Sequence, residues 1–587
     1  MSERWHPDRI AVASVSHRRR GRAFGPYMPP RLGDDVRKAL EVGRARMLVA
    51  AFFMMLAFAL VGGRVTQLAI LGEADQHRPV AHRTADKPLK PRADIVDRNG
   101  EVLATDLPTA SLYANARRLL DPQEAARGLV TVLPDLDYAK TLEKLQSDRT
   151  FVWLRRNLTP REQLEITALG IPGIDFIPEY SRVYPHGPLL SHLLGYVDSD
   201  NTGIAGLEKR FDETLAGTDA ALQLTVDLRV QHILREELRS AMLEFKAKAA
   251  AGVVLDAGSG EVVALVSLPD FDPNHPGKAR DAARFNRATL GVYELGSTFK
   301  VFTAAMALDS GVASMNGRYD ATRPLKVAQF TIRDYHAKRR WLSLPEVFIY
   351  SSNIGAALIA QDIGGKRQQD YLRRLGMLDP LPLEIPETGR PIVPSVWRDV
   401  NTMTIGFGHG LAVSPLHLAS GVAAVANGGV VHAPTLVRMP RGDADETGRR
   451  VFSEATSLQL RKLMRLTVLS GTGRHAEVPG YPVGGKTGTA EKPGREGYAG
   501  KSLLSSFVAV FPITQPRYVV LAMLDEPEGN DSTHGNATGG WVAAPVVRNV
   551  IGRIAPMLGI RPIGPDAPEL RKLDLNIPLE GRKLASY

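Results

Sequence analysis

The stretch GYPVGGKTGTA, residues 480–490, carries two signatures with different structural requirements. Gly480 with Gly485, Lys486 and Thr487 fits the phosphate-loop pattern G-x-x-x-x-G-K-T, whereas Lys486-Thr487-Gly488 fits the K-T-G element of serine acyltransferases. A phosphate loop needs an apolar strand before it and a helix starting at the Lys-Thr pair, so that backbone N–H groups converge on the phosphates. The preceding RHAEVPG is not a buried strand, and Gly488, Pro493, Gly494 and Gly497 stand where that helix belongs. Each of them costs helix stability. The stretch therefore reads as a K-T-G strand in an α+β protein.

Two further elements support that reading. GSTFK places Ser297 three residues before Lys300 at the opening of the segment STFKVFTAAMALDSG. On a helix this spacing sets the lysine amine beside the serine hydroxyl. A serine needs such an adjacent base, and lysine can serve when burial and cationic neighbours lower its pKa. YSSNIGAALIAQ supplies Ser351, Ser352 and Asn353 ahead of an apolar helix. S-x-x-K or S-x-N alone is a weak signal, and a serine at a helix start is ordinarily an N-cap. The trio S-x-x-K, S-x-N, K-T-G, in that order with gaps of about 50 and 130 residues, is a strong one.

The surroundings agree. MLVAAFFMMLAFALVGG, Met47–Gly63, is seventeen residues without charge and is just long enough to cross a bilayer. Residues 1–46 hold eleven Lys/Arg against five Asp/Glu, six of the ten net positive charges of the 587-residue chain. That excess predicts a cytoplasmic head, with the rest of the chain outside the cytoplasm. It also removes the nucleic-acid reading of the net charge. Ala57-Phe58-Ala59 is a passable cleavage site, but it interrupts the apolar run, and 46 residues is a long head for a signal peptide. The chain has no cysteine, hence no disulfide or thiolate metal site, and its fourteen histidines show no H-x-x-x-H pattern. No metal or cofactor is expected.

The organisation predicted is a basic, Arg/Gly/Pro-rich and mostly disordered tail at 1–46, an anchor at 47–70, a non-catalytic mixed domain at 71–245 and a catalytic domain at 246–587. ADIVDRNGEVLATD, 93–106, reads as two short strands about an Asn99-Gly100 turn. Further on, Val230, Ile233, Leu234, Leu238 and Met242 share a helix face. Two apolar hairpins, one around Gly258-Ser259-Gly260 and one with strands at 506–511 and 518–524, bracket helical segments such as 298–310, closed by Gly311. An antiparallel sheet with a helical insertion follows.

These motifs resemble those of class B penicillin-binding proteins, the monofunctional peptidoglycan D,D-transpeptidases. The similarity runs from the anchor to about residue 560 and includes RADIVDRNGEVLA, SRVYPHGPLLSHLLGYVDSDNTGIAGLEKRFDETLAG, GFGHGLAVSPLHLA and GGWVAAPVVRNVIG. Ser351-Ser352-Asn353 and Lys486-Thr487-Gly488-Thr489 resemble the septal branch; the elongation branch more often carries S-x-D and K-S-G. Leu295 and Ala93 depart from the family's usual proline and glycine.

The resemblance implies a single-pass protein of the bacterial inner membrane with a pedestal at 71–245 and a periplasmic penicillin-binding domain. It implies Ser297 as nucleophile, Lys300 as base, Ser351 and Lys486 as a route for the leaving-group proton, and Asn353 as a positioning residue. Thr487, Gly488 and Thr489 would bind the substrate carboxylate, and the backbone N–H groups of Ser297 and Thr489 would form the oxyanion hole. It further implies lipid-linked or nascent peptidoglycan as substrate, β-lactams as inhibitors, and a SEDS-family glycosyltransferase and other divisome proteins as partners. The blander roles are a helix cap for Ser351, a surface position for Thr487 and a structural pairing for Asn353 and Lys486. GFGHG, 406–410, reads as a structural turn near the cleft.

Three alternatives stay open on sequence. One is an elongation-type enzyme. A serine β-lactamase shares the trio, but no E-x-x-L-N segment occurs between 354 and 485. A penicillin sensor would carry more membrane helices and a cytoplasmic effector. The lack of C-terminal repeat domains points to a Gram-negative membrane.

Overall fold

A computed structural model describes residues 34–71, 90–327, 330–438, 448–492 and 502–575, with side chains omitted at 34–43 and 63–71. The chain divides into two units, residues 1–88 and 89–587.

In the first unit, helix α1 spans Asp34–Leu71. Within it Arg44–Gly62 has a mean hydropathy of 2.1, and it is the one segment among the described residues long and apolar enough to cross a membrane. Nineteen helical residues span about 28 Å, close to the hydrocarbon thickness of about 30 Å. Met47, Phe52, Phe53, Met54, Met55, Phe58 and Leu60 are all exposed on it. The helix begins at Asp34, inside the segment 1–46 expected as a mostly disordered tail. VRKALEVGRAR is rich in strong helix formers. Residues 1–33 and 72–89, the rest of the tail and the start of the expected pedestal, lie outside the described residues.

The second unit begins with β1 (Ile95–Val96), which turns through Asn99-Gly100 into β2 (Val102–Ala114). Gly100 has φ +92°, the left-handed region this turn requires. β2 is longer than the short strand expected. It pairs antiparallel with β3 (Val152–Leu158) and β4 (Ile174–Val183), and that non-local pairing extends it. β1 in turn pairs in parallel with β5 (Leu222–Gln223).

Where these strands meet, the two motifs quoted above lock together through buried charges. The Arg92 guanidinium bonds Glu208 at 3.0 Å and Asp212 at 2.7 Å, while Arg182 bonds Glu208 at 2.6 Å and Asp106 at 3.3 Å. Removing one partner would strand a buried charge at a cost of about 3–5 kcal/mol.

α2 (Leu228–Glu244) follows, capped by the Asp227 carboxylate, which accepts from Arg229 N–H. The main sheet then forms from β6 (Ala249–Asp256), β7 (Val262–Leu268), β8 (Gly484–Glu491), β9 (Leu503–Phe511) and β10 (Tyr518–Asp525). Its order is β8-β9-β10-β6-β7, antiparallel throughout, with β8 at one edge. Period-2 alternation sends Val508, Val519 and Leu521 to one face, against the helical insertion, and Phe507, Val520 and Ala522 to the other, against α2 and the helix Ala544–Met557. Both faces are covered, so these strands read as continuous apolar runs rather than as alternating ones.

Candidate active site

The insertion supplies two of the three motifs. Gly296–Phe299 forms a single 3-10 turn, and α3 (Lys300–Asp309) continues it. The regular helix thus starts at Lys300, two residues later than expected, but the Ser297–Lys300 juxtaposition survives because i and i+3 side chains eclipse in a 3-10 turn. Lys300 Nζ lies 2.8 Å from Ser297 Oγ. Ser297 itself is half-buried, whereas Lys300 is only 2 % exposed.

The same amine lies 2.7 Å from the Ser351 carbonyl oxygen, 2.7 Å from Asn353 Oδ1 and 3.1 Å from Ser351 Oγ. Asn353 Nδ2 donates to the Arg333 carbonyl at 3.0 Å, which fixes the amide so that its oxygen faces the lysine. The two carbonyl oxygens can only accept. They engage both N–H groups of a neutral amine and leave its lone pair for the Ser297 hydroxyl proton. Burial, and next the charge of Lys486, hold Lys300 well below the ordinary lysine range, with Asp334 acting in the opposite direction.

Ser351 stands between the two lysines. Lys486 Nζ donates to its hydroxyl at 3.0 Å and to the Thr487 carbonyl at 3.2 Å. Lys486 is fully buried on β8, and burial pushes its pKa down to about 7. The Lys300 amine, whose neutral form burial and the Lys486 charge both favour, thus adjoins a Lys486 that is partly charged at neutral pH. Ser351 reaches this position with φ +59°, a left-handed conformation that costs a non-glycine residue about 1–2 kcal/mol. The helix cap is not Ser351 but Ser352, whose Oγ accepts from Gly355 N–H at the start of α4 (Asn353–Ile363). The cap reading of Ser351 is overturned, and its hydroxyl is left to the lysines.

β8 runs alongside the Ser297 turn. It is a strand through Lys486 and Thr487, which overturns the phosphate-loop geometry; Pro493, Gly494 and Gly497 lie outside the described residues. Gly488 packs on the turn, where a Cβ would meet Ser506 Oγ and come within 2.8 Å of the Leu295 carbonyl and 2.9 Å of Thr298 Cγ2. A Cβ on Gly296, at φ +55°, would lie 2.8 Å from the Thr489 carbonyl. The bare backbones let the main chain at Ser297 and Thr489 approach closely. Lys486 Nζ also donates to the Thr487 hydroxyl at 3.3 Å. Thr487 is buried, with its hydroxyl 2.8 Å from that of Thr472, and Thr489 Oγ1 accepts from Gly539 N–H at 3.1 Å.

Ser297, Lys300, Ser351, Asn353 and Lys486 thus form one continuous hydrogen-bonded chain, and Thr487, Gly488 and Thr489 lie on the strand beside it. Sequence reading missed Arg333, Asp334 and Thr472. Asp334 accepts from Ser352 Oγ at 2.8 Å and from Ile354 N–H at 2.9 Å, pinning the S-S-N loop from about twenty residues upstream. No local pattern marks it. Among the described residues, no cluster of three His, Cys, Asp or Glu side chains could hold a metal.

Comparisons with known proteins give the same architecture. Residues 250–552 match the penicillin binding protein transpeptidase domain, and residues 89–241 the penicillin-binding protein dimerisation domain. The chain is 44% identical over 483 residues to a probable peptidoglycan D,D-transpeptidase FtsI of Caulobacter vibrioides, covering 80% of this chain and 82% of that one. It is 32% identical to a probable peptidoglycan D,D-transpeptidase PenA of Neisseria meningitidis, over 92% and 97% of the two chains. The peptidoglycan D,D-transpeptidase FtsI of Escherichia coli is 29% identical, over 88% and 92%. In fold it is similar to the crystal structure of penicillin binding protein 3 from Mycobacterium tuberculosis complexed with aztreonam. There the TM-score is 0.65 at 24% identity, over 82% of this chain and 98% of that one. The chain belongs to the penicillin-binding protein transpeptidase family, in its class B, division-type branch.

Proposed function

We propose that this protein is the D,D-transpeptidase that cross-links septal peptidoglycan, with Ser297 as its nucleophile. The observation that carries the reading is the Lys300 amine, which lies 2.8 Å from Ser297 Oγ with its N–H groups committed to the Ser351 carbonyl and Asn353 Oδ1. Ser297 Oγ attacks the carbonyl carbon between the two terminal D-alanines of a stem peptide, and its proton passes to Lys300 Nζ. The oxyanion develops against the backbone N–H groups of Ser297 and Thr489, an arrangement worth a few kcal/mol of barrier. When the C–N bond breaks, the leaving D-alanine takes a proton through Ser351 Oγ, which both lysines touch.

Thr487 and Thr489 hold the substrate carboxylate, whose charge also restores that of Lys486. An acceptor amine from a neighbouring strand then attacks the ester carbon, displacing Ser297 Oγ and forming the cross-link. β-Lactams acylate the same serine. The helix at Arg44–Gly62 anchors the chain in the inner membrane; the arginine-rich head favours a cytoplasmic N-terminus and a periplasmic catalytic domain. Substrate is lipid-linked or nascent peptidoglycan, and the partners are a SEDS-family glycosyltransferase and other divisome proteins.

The test is the intact mass of the full chain in detergent after one equivalent of benzylpenicillin, beside Ser297→Ala. A single adduct that persists for hours on the wild type and is absent from the variant is expected. An adduct lost within seconds as hydrolysed drug accumulates would mean a β-lactamase, and no adduct on folded protein would sink the acyl-serine reading.

A further inference from the structure

Transfer to an acceptor needs one proton removal beyond those that Lys300 performs. An acceptor side-chain amine arrives as an ammonium, with an ordinary pKa of about 10.4, and must lose a proton before it can attack. Lys300 is already engaged in the second proton transfer, from the attacking nitrogen to Ser297 Oγ. The loop Gly406–Gly410 holds a group that can take the first.

This loop is clamped to the nucleophile's own turn. Gly296 N–H donates to the Gly408 carbonyl at 3.2 Å, a Cβ on Gly408 would collide with the Gly296 carbonyl, and Gly408 accordingly has φ +91°. Thr303 Oγ1 on α3 donates to the Gly406 carbonyl at 2.8 Å, and Gly410 N–H donates to Glu294 Oε1 at 2.7 Å. His409 therefore sits one residue from the backbone that precedes Ser297. It is part-buried and braced by the Phe407 ring, 5.3 Å between centroids. Three charged groups act on it from the elements packed around it: Glu294 from the segment before the nucleophile, Lys300 from α3 and Glu491 from the end of β8. Burial first, and then Lys300, favour the neutral imidazole, while the two carboxylates favour the imidazolium. Such a histidine can hold a proton briefly and, being partly open, pass it to solvent.

We propose that His409 is the proton relay for the acceptor amine, working between Glu294 and Glu491, which attract the incoming ammonium. The proposal rests on the transpeptidase reading. One ammonium proton moves to an imidazole nitrogen and on to water. The neutral amine attacks the acyl carbon, so that a C–N bond forms and the C–Oγ bond breaks. Its second proton passes through Lys300 Nζ to Ser297 Oγ.

The experiment supplies the full chain in detergent with a D-alanyl thioester donor and Nα-acetyl-lysinamide as acceptor. It reads the ratio of aminolysis to hydrolysis products, which is independent of the rate of acylation. His409→Gln is expected to lower that ratio at pH 7 at least tenfold, with the deficit closing by pH 10 as the acceptor deprotonates in solution. An unchanged ratio at pH 7, or a deficit equally large at pH 10, overturns the proposal. Glu491→Gln, at an exposed position, is expected to raise severalfold the acceptor concentration giving half-maximal transfer; no change there removes the carboxylate's part in it. If the wild type forms no acyl-enzyme from the thioester, the transpeptidase reading fails first and takes this inference with it.

Discussion

Replacing Lys486 by methionine is expected to give a protein that is less active and yet more stable at neutral pH. The Lys486 side chain is fully buried, and its pKa is pushed down to about 7 from an ordinary 10.5 by burial. Between those values the unfolded chain holds a proton that the folded chain does not. Wild-type stability therefore rises with pH across the window from about 7 to 10.5, and the full penalty is present below it. At about 1.36 kcal/mol per pH unit the penalty integrates to about 5 kcal/mol. Methionine fills a similar volume without a charge. It loses the hydrogen bonds to Ser351 Oγ and the Thr487 carbonyl, a cost of about 1 kcal/mol each. A net gain of about 3 kcal/mol at pH 6 remains, and relief of the repulsion felt by Lys300 adds to it. The assay is thermal unfolding of the full chain in detergent from pH 6 to 10.5 at one scan rate, because a chain of this size need not refold. The variant should melt about 3 °C higher at pH 6, and the curves should converge and cross toward pH 10.5. Parallel curves would refute the burial argument.

The acid limb of Ser297 acylation by benzylpenicillin should move to higher pH in Lys486→Met, because without its neighbour's charge Lys300 keeps its proton longer. Asp334→Asn should move the same limb to lower pH, since Asp334 favours the charged lysine; stopped-flow acylation over pH 5–9 measures both shifts. Ser352→Ala removes the α4 cap and the tie to Asp334 and should cost about 1–2 kcal/mol, visible as a lower melting temperature. Gly488→Ala drives a methyl into the Leu295 carbonyl and Ser506 Oγ, which should cost about 1–3 kcal/mol and slow acylation at least tenfold. Acylation at the wild-type rate would show that β8 need not pack so tightly on the Ser297 turn.

What the sequence by itself determined is what depends on neighbours in the chain. The i, i+3 spacing of Ser297 and Lys300 sets their contact within one turn, whether 3-10 or α, so it was legible although the turn type was not. The Asn99-Gly100 turn, the two core hairpins and the apolar run inside α1 are likewise local consequences of φ preference, alternation and length. The early start of α1 was hidden because a basic, glycine-containing stretch reads as solvated tail until helix propensity is weighed against it.

Only the tertiary structure decided how the three motifs become one site. Ser351 and Ser352 are adjacent serines of equal capping propensity. Asp334 holds Ser352 as the cap, and that leaves Ser351 in a left-handed conformation between the two lysines. The Arg92, Arg182 and Glu208 cluster joins motifs about ninety residues apart that carry no mutual signal. The chemistry of Lys300 and Lys486 depends on burial, and burial is a property of the packed domain. A lysine in a sequence is an ordinary cation; enclosed by β8, α3 and the S-S-N loop, it becomes a base.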